Sequence, residues 1–124
     1  MGIDIYARWH GQTECELNAQ VDGWLAVNAG ALGYLREAYH GEPYATKFLF
    51  AEAFKNPKGM TVPVSVLRER LPRALELVEE RERKLYQSDA KTIAERRQSF
   101  IDFVELCARK EKKTGKPVTI GAWY

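Results

Sequence analysis

The chain has 124 residues, 45% hydrophobic and 29% charged, enough to enclose one core over 1–124 and too little for two. Nineteen Lys and Arg face seventeen Asp and Glu for a formal charge of +2, a balance that excludes wholesale disorder and the heavy positive charge needed to wrap a polyanion. Residues 1–60 hold five basic and seven acidic groups and residues 61–124 fourteen and ten, so the positive excess lies in the second half. Cys15 and Cys107 have no Cys-x-x-Cys or alternating Cys/His setting, and Cys107 reads as a small core side chain rather than half of a disulfide. No apolar run approaches the roughly 18–20 residues that cross a membrane, nor does a basic-then-apolar signal open the chain. The expected location is cytoplasmic.

From Gly2 to His10 the residues alternate: Ile3, Ile5, Ala7 and Trp9 form one face, Asp4, Tyr6, Arg8 and His10 the other. This is the signature of a strand covered on one side. The polar stretch from Gly11 to Glu16 predicts a turn or exposed loop. Trp24, Leu25 and Val27 fit a short strand or an irregular packed segment before Gly30. Over 32–39 the pair Leu32 and Leu35, closed by Gly41 and Pro43, predicts a short helix. Residues 44–54 are dense in apolar side chains, and periodicity leaves strand and helix open there. The run Asn56-Pro57-Lys58-Gly59 is punctuation.

Thr61 to Val64 reads as extended beside Pro63. Leu67, Leu71, Ala74, Leu75, Val78 and Leu85 recur at helical spacing and define a helix over about 66–86, with Ser65 capping a turn that runs to Leu71 and Pro72 in the first turn of the main helix or at a kink. After Gln87-Ser88-Asp89 a second helix, about 91–113, carries Ile93, Phe100, Ile101, Phe103, Val104, Cys107 and Ala108. Thr114-Gly115 ends it. Val118, Ile120, Ala122 and Tyr124 alternate as a terminal strand. The expected class is α+β: a small sheet holding the N- and C-terminal strands, packed against a long helical hairpin.

Three stretches, Gly-Ile-Asp-Ile-Tyr-Ala-Arg-Trp at 2–9, Gly-Tyr-Leu-Arg-Glu-Ala-Tyr-His-Gly-Glu-Pro-Tyr-Ala-Thr at 33–46 and Lys-Pro-Val-Thr-Ile at 116–120, resemble a family of small uncharacterised bacterial proteins. The resemblance spans the chain and implies no activity.

Chemistry concentrates in Arg36-Glu37-Ala38-Tyr39-His40-Gly41-Glu42-Pro43-Tyr44. On a helix Arg36 and His40 would share a face, while Glu37 would lie with Tyr34. Arg36 offers a directional fork to an anion, His40 a proton, Tyr39 and Tyr44 hydroxyls and walls. The polar side of the first strand supplies Asp4, Tyr6 and Arg8, and convergence of the two segments would make a ligand site from Arg36, Tyr39, His40, Tyr44, Tyr6 and Arg8.

The favoured function is an interaction or regulatory protein that takes a small anionic or polar ligand. An acid–base enzyme is the alternative, with His40 moving the proton and Asp4 or Glu37 orienting it. Weak nucleic-acid binding through Arg109, Lys110, Lys112, Lys113 and Lys116, with Trp123 and Tyr124 stacking on bases, ranks third. No cofactor is expected, and no His-Glu-x-x-His or compact carboxylate motif calls for a metal. A protein partner or a homodimer through a sheet edge is expected, above all if the first strand ends the sheet.

Overall fold

The computed structural model describes residues 2–25, 29–39, 41–56 and 58–124. Four strands, β1 (Gly2–Arg8), β2 (Tyr34–Ala38), β3 (Met60–Val62) and β4 (Val118–Trp123), form one antiparallel sheet in the order β2-β1-β4-β3. The helices are α1 (Glu14–Val21), α2 (Ala45–Leu49), α3 (Val64–Leu85) and α4 (Ala90–Thr114). The architecture is the expected α+β one, with both terminal strands in the sheet and the α3–α4 hairpin behind it.

Alternation sets which side of the sheet is buried. Ile3, Ile5, Ala7, Leu35, Val118, Ile120 and Ala122 point to the helices and join a core with Leu67, Ala74, Val78, Phe100, Phe103, Val104 and Cys107. At its centre the Phe50 and Phe103 rings meet edge-on with centroids 5.0 Å apart, a favoured aromatic geometry. The two long helices fall within two residues of the ranges that periodicity predicts. Asp89 caps α4 by accepting from the Thr92 N–H at 2.8 Å. Gly115 ends it at φ 72°, its N–H donating to the Glu111 carbonyl, a left-handed stop that glycine adopts without strain.

Several local expectations give way to tertiary structure. Residues 34–38 are a strand, entered through a 3-10 turn at Ala29–Leu32. Leu-Arg-Glu-Ala favours a helix locally, but β1 needs a partner, and the ladder it offers outweighs propensity over so few residues. Of the loop expected from Gly11 to Glu16, the part up to Thr13 lies outside any helix or strand, and Glu14 already belongs to α1. Thr13 and Glu16 make a reciprocal capping box that starts α1, and the helix was hidden because it is polar nearly all round.

Pro72 stands well inside α3 rather than in its first turn, because the helix begins at Val64. Leu85, assigned to the buried stripe, is exposed: the last turn of α3 carries it beyond the core. The 44–54 stretch is α2 followed by a 3-10 turn at Ala51–Phe54. Asp22–Leu25 is likewise a 3-10 turn, while Val27 and Pro57 lie outside the described residues. Finally, β1 is an inner strand between β2 and β4, so it cannot be the pairing edge for a second copy. The edges are β2 and β3.

An ion pair pins α3 to the turn after α2. Arg70 donates to both oxygens of Glu52 at 2.6 and 2.8 Å and to the Leu49 carbonyl at 3.2 Å. The guanidinium holds the Glu52 carboxyl below its ordinary value of 4.5. A depressed carboxyl contributes stability that is complete above the unfolded-state value and lost as pH falls through the folded-state one. Glu52→Gln should therefore be less stable than the parent at neutral pH. The gap should close in acid, below about pH 4.5, when urea unfolding is followed across pH; a gap independent of pH would show that the pair contributes nothing.

Candidate functional site

The side of the sheet away from the helices carries the polar alternates, and the register arranges them in three rows. Arg36, Asp4 and Trp123 lie side by side on β2, β1 and β4; Tyr34, Tyr6 and Gly121 form the next row; Arg8, Thr119 and Thr61 cross β1, β4 and β3. Successive rows are two residues apart, about 7 Å. Tyr34 is the buried member of the rows. The turn at Asp22–Leu25 covers it: a Cβ on Gly23 would lie 3.0 Å from its ring.

The first row is tightly bonded. Arg36 Nη1 donates to both oxygens of Asp4, at 2.8 and 3.0 Å, and the Tyr34 hydroxyl donates to Asp4 Oδ1 at 2.5 Å. Burial, and after it the bond to Asp4, push the Tyr34 hydroxyl up to about 12, so it remains a donor at neutral pH. Asp4 in turn raises the Arg36 guanidinium above its ordinary value. In the second row the Tyr6 and Tyr34 rings lie 5.1 Å apart, and the Arg8 guanidinium sits over Tyr6 at 5.1 Å. Arg8 also donates to Gln20 and to the Ala7 carbonyl, and buried Gln20 donates to that same carbonyl at 2.8 Å. Burial lowers the Arg8 guanidinium from its ordinary value.

Each end of this surface is concave. At one, Gly2, Asp4, Arg36, Tyr39, Trp123 and Tyr124 line a shallow hollow of about 260 Å³. Trp123 is 71% and Tyr124 60% exposed there. At the other end Arg8, His10, Lys116 and Thr119 are among the residues around an open cleft of about 500 Å³. Lys116 is the member of the basic 109–116 segment that reaches this surface; Arg109 and Lys112 line a separate groove with Val64 and Arg68 of α3.

The strand at 34–38 divides the expected site residues between two faces. Asp4, Tyr6, Arg8 and Arg36 gather on the open face, with Tyr39 at its rim. Glu37 and Tyr44 do not join them. Glu37 points to the helix side, where its oxygens accept from the Ala45 and Thr46 N–H groups at 3.0 Å each and from the Thr46 hydroxyl at 2.6 Å. Arg81 Nε lies 3.3 Å from it, both side chains no more than 10% exposed. Tyr44 is buried, accepts from the Gly41 N–H at 2.9 Å and lies under the Arg81 guanidinium. His40 lies outside the described residues.

Neither carboxylate offered for acid–base work is therefore idle: Asp4 is held by Arg36 and Tyr34, Glu37 by Arg81 and two backbone N–H groups. The Cys107 thiol, pushed up to about 12 by burial, stays protonated in the core. Among the described residues no three His, Cys, Asp or Glu side chains gather as metal ligands, and no helix is long and apolar enough to cross a membrane.

Sequence reasoning missed Tyr34 and Gly121 as members of the surface, and offered Trp123 for base stacking but not as the neighbour of Asp4. The signal for Tyr34 was its place two residues before Arg36, visible only once 34–38 is read as a strand. It also missed a groove along the outer edge of β2. Two adjoining clefts of about 420 and 390 Å³ share Arg36, Thr92, Arg96 and Phe100.

The fold and site together define a one-sided α+β sheet protein with an open aromatic and cationic face. No family model, curated protein or solved structure matches the chain.

Proposed function

We propose that this is a binding protein whose open sheet face takes an anionic or polar ligand bearing a planar group. One observation carries the reading: the register sets Arg36 and Arg8 at the two ends of a surface that the Asp22–Leu25 turn covers only at Tyr34, with Tyr6 and exposed Trp123 between or beside them. Guanidinium forks recognise carboxylate and phosphate oxygens directionally, and aromatic rings supply apolar area at little entropy cost. Asp4 holds Arg36 in place through one nitrogen, Nη1. Binding suits these residues better than proton transfer, because the available carboxylates are committed to hydrogen bonds. A cytoplasmic setting belongs to the same reading, supported by the two free cysteines.

The test is chemical-shift mapping with inorganic phosphate and uridine monophosphate as probes. Saturable shifts should fall on β1, β2 and β4, and Arg36→Ala should weaken uridine monophosphate binding by about tenfold, the worth of a hydrogen bond to a charged group. No shift on the open face with either probe would overturn the proposal.

A second reading puts the anion in the groove beside β2, where Arg36 and Arg96 flank an apolar floor at Phe100. Arg96→Ala separates the two: it should spare binding on the sheet face and abolish binding in the groove.

A further inference from the structure

We infer that the occupant of the open sheet face is a single-stranded nucleic acid, its bases stacked on the exposed aromatics and its phosphates led along Arg36, Arg8 and Lys116. This rests on the reading of that face as a binding surface and narrows its ligand to a polymer. A polyanion of flat units needs three things of a protein: ring faces at intervals, positive charge along one track and room for the units to lie.

The face has all three. Trp123 is the most exposed large hydrophobic side chain in the described structure. Tyr39 and Tyr124 line the hollow with it, edge-on to Tyr44 and packed on Phe54 respectively, and Tyr6, one row on, lies against Tyr34 and under Arg8. The rows from Asp4 to Arg8 span about 14 Å along β1, room for the two or three bases that aromatic side chains on a four-stranded sheet commonly stack.

Charge follows the same line. Arg36 stands in the first row and Arg8 in the third, and Arg8 shares its cleft with His10 and Lys116. Asp4 is the acidic member of the rows, and its charge is met by Arg36. Lys116 and the polar side of the first strand, far apart in sequence, thus form one track. Arg109 and Lys112 lie off this line, in a groove with Arg68, Glu105 and Glu111. A second copy of the chain would instead favour an aliphatic surface, and the rows carry no Val, Leu or Ile.

Room is supplied by Gly121. It lies opposite Tyr6 in the middle row, and a Cβ built on it meets nothing within 4 Å. Glycine is a poor strand residue with no packing partner here, so its place is occupied by open space beside the Tyr6 ring.

The experiment is fluorescence anisotropy with a labelled eight-nucleotide oligouridine and its DNA counterpart, against a duplex of the same length and uridine monophosphate as competitor. The oligonucleotide should bind at least tenfold more tightly than the mononucleotide. With three phosphate contacts its affinity should fall by roughly twentyfold for a fourfold rise in salt. Gly121→Val should fold at least as well as the parent, since valine suits a strand and fills empty space, yet lose binding. Trp123→Ala should weaken it about tenfold.

Mononucleotide binding with no gain for the oligonucleotide would overturn this inference and leave the broader binding role standing. Absence of binding by either would remove both. Equal affinity for duplex, or binding insensitive to Gly121→Val and Trp123→Ala, would also overturn it, by showing that charge alone acts. A dimer in native mass measurement that Gly121→Val dissociates, with no oligonucleotide bound, would assign the face to a second copy instead.

Discussion

Glu37→Ala should destabilise the protein by about 3–5 kcal/mol, the usual cost of leaving half of a buried ion pair without its partner. Glu37 does three jobs from one carboxylate. It neutralises Arg81, it accepts the first two N–H groups of α2, and it accepts the Thr46 hydroxyl. Arg81 in turn donates to the Gly41, Pro43 and Ala38 carbonyls at 2.8, 2.9 and 3.2 Å, so the pair ties β2, α2 and α3 together. Truncation leaves a buried guanidinium with carbonyl partners and no countercharge, and strips a five-residue helix of its N-terminal acceptors.

Urea unfolding measures the loss as a lowered midpoint at unchanged slope. Glu37→Gln should recover part of it, because the amide oxygen still accepts N–H bonds while the charge is gone. A change within about 0.5 kcal/mol, the range of surface positions, would mean that Glu37 is not the structural hub described above.

The second large effect is expected at Gly30. Its N–H donates to the Ser99 hydroxyl at 3.0 Å, and a Cβ there would lie 1.8 Å from the Ser99 carbonyl oxygen and 2.6 Å from its carbon. The obstacle is α4 backbone, which cannot rotate away. Gly30→Ala must push the 3-10 turn off the helix or bend the helix, and should cost about 3 kcal/mol or more. That corresponds to a melting temperature lower by roughly 10 °C.

The double variant Gly30→Ala with Ser99→Ala sharpens the test. Removing the hydroxyl clears the atom at 2.8 Å and leaves the nearer backbone atoms in place. No rescue is expected, whereas full rescue would place the conflict in the side chain. The consequence reaches the candidate site, because this turn leads directly into β2 and so sets where Tyr34 and Arg36 stand.

The long elements were legible because their signal is collective. Six or seven apolar residues at helical spacing leave one solution for 64–85 and 90–114, and the terminal alternations leave one for β1 and β4. The middle of the chain was not legible in the same way. Between Thr13 and Phe54 the pieces are five to eight residues long or shorter, and a stretch of that length is decided by what it packs on. Residues 34–38 show the consequence for function: a helix would have set Glu37 beside Tyr34, and a strand sets Arg36 there instead.

What the chain determined by itself is therefore the α+β class, the hairpin of long helices, the two terminal strands and the polar face of the first, Asp4, Tyr6 and Arg8. Each follows from a local period that water enforces, apolar side in and polar side out. Tertiary structure alone decided that β1 lies inside the sheet, that Arg36 and Trp123 flank Asp4, and that Glu37 is withdrawn to bind Arg81. These are matters of register between segments roughly thirty to more than a hundred residues apart, and pairing across such distances is selected by the whole core at once, not by any one segment's sequence.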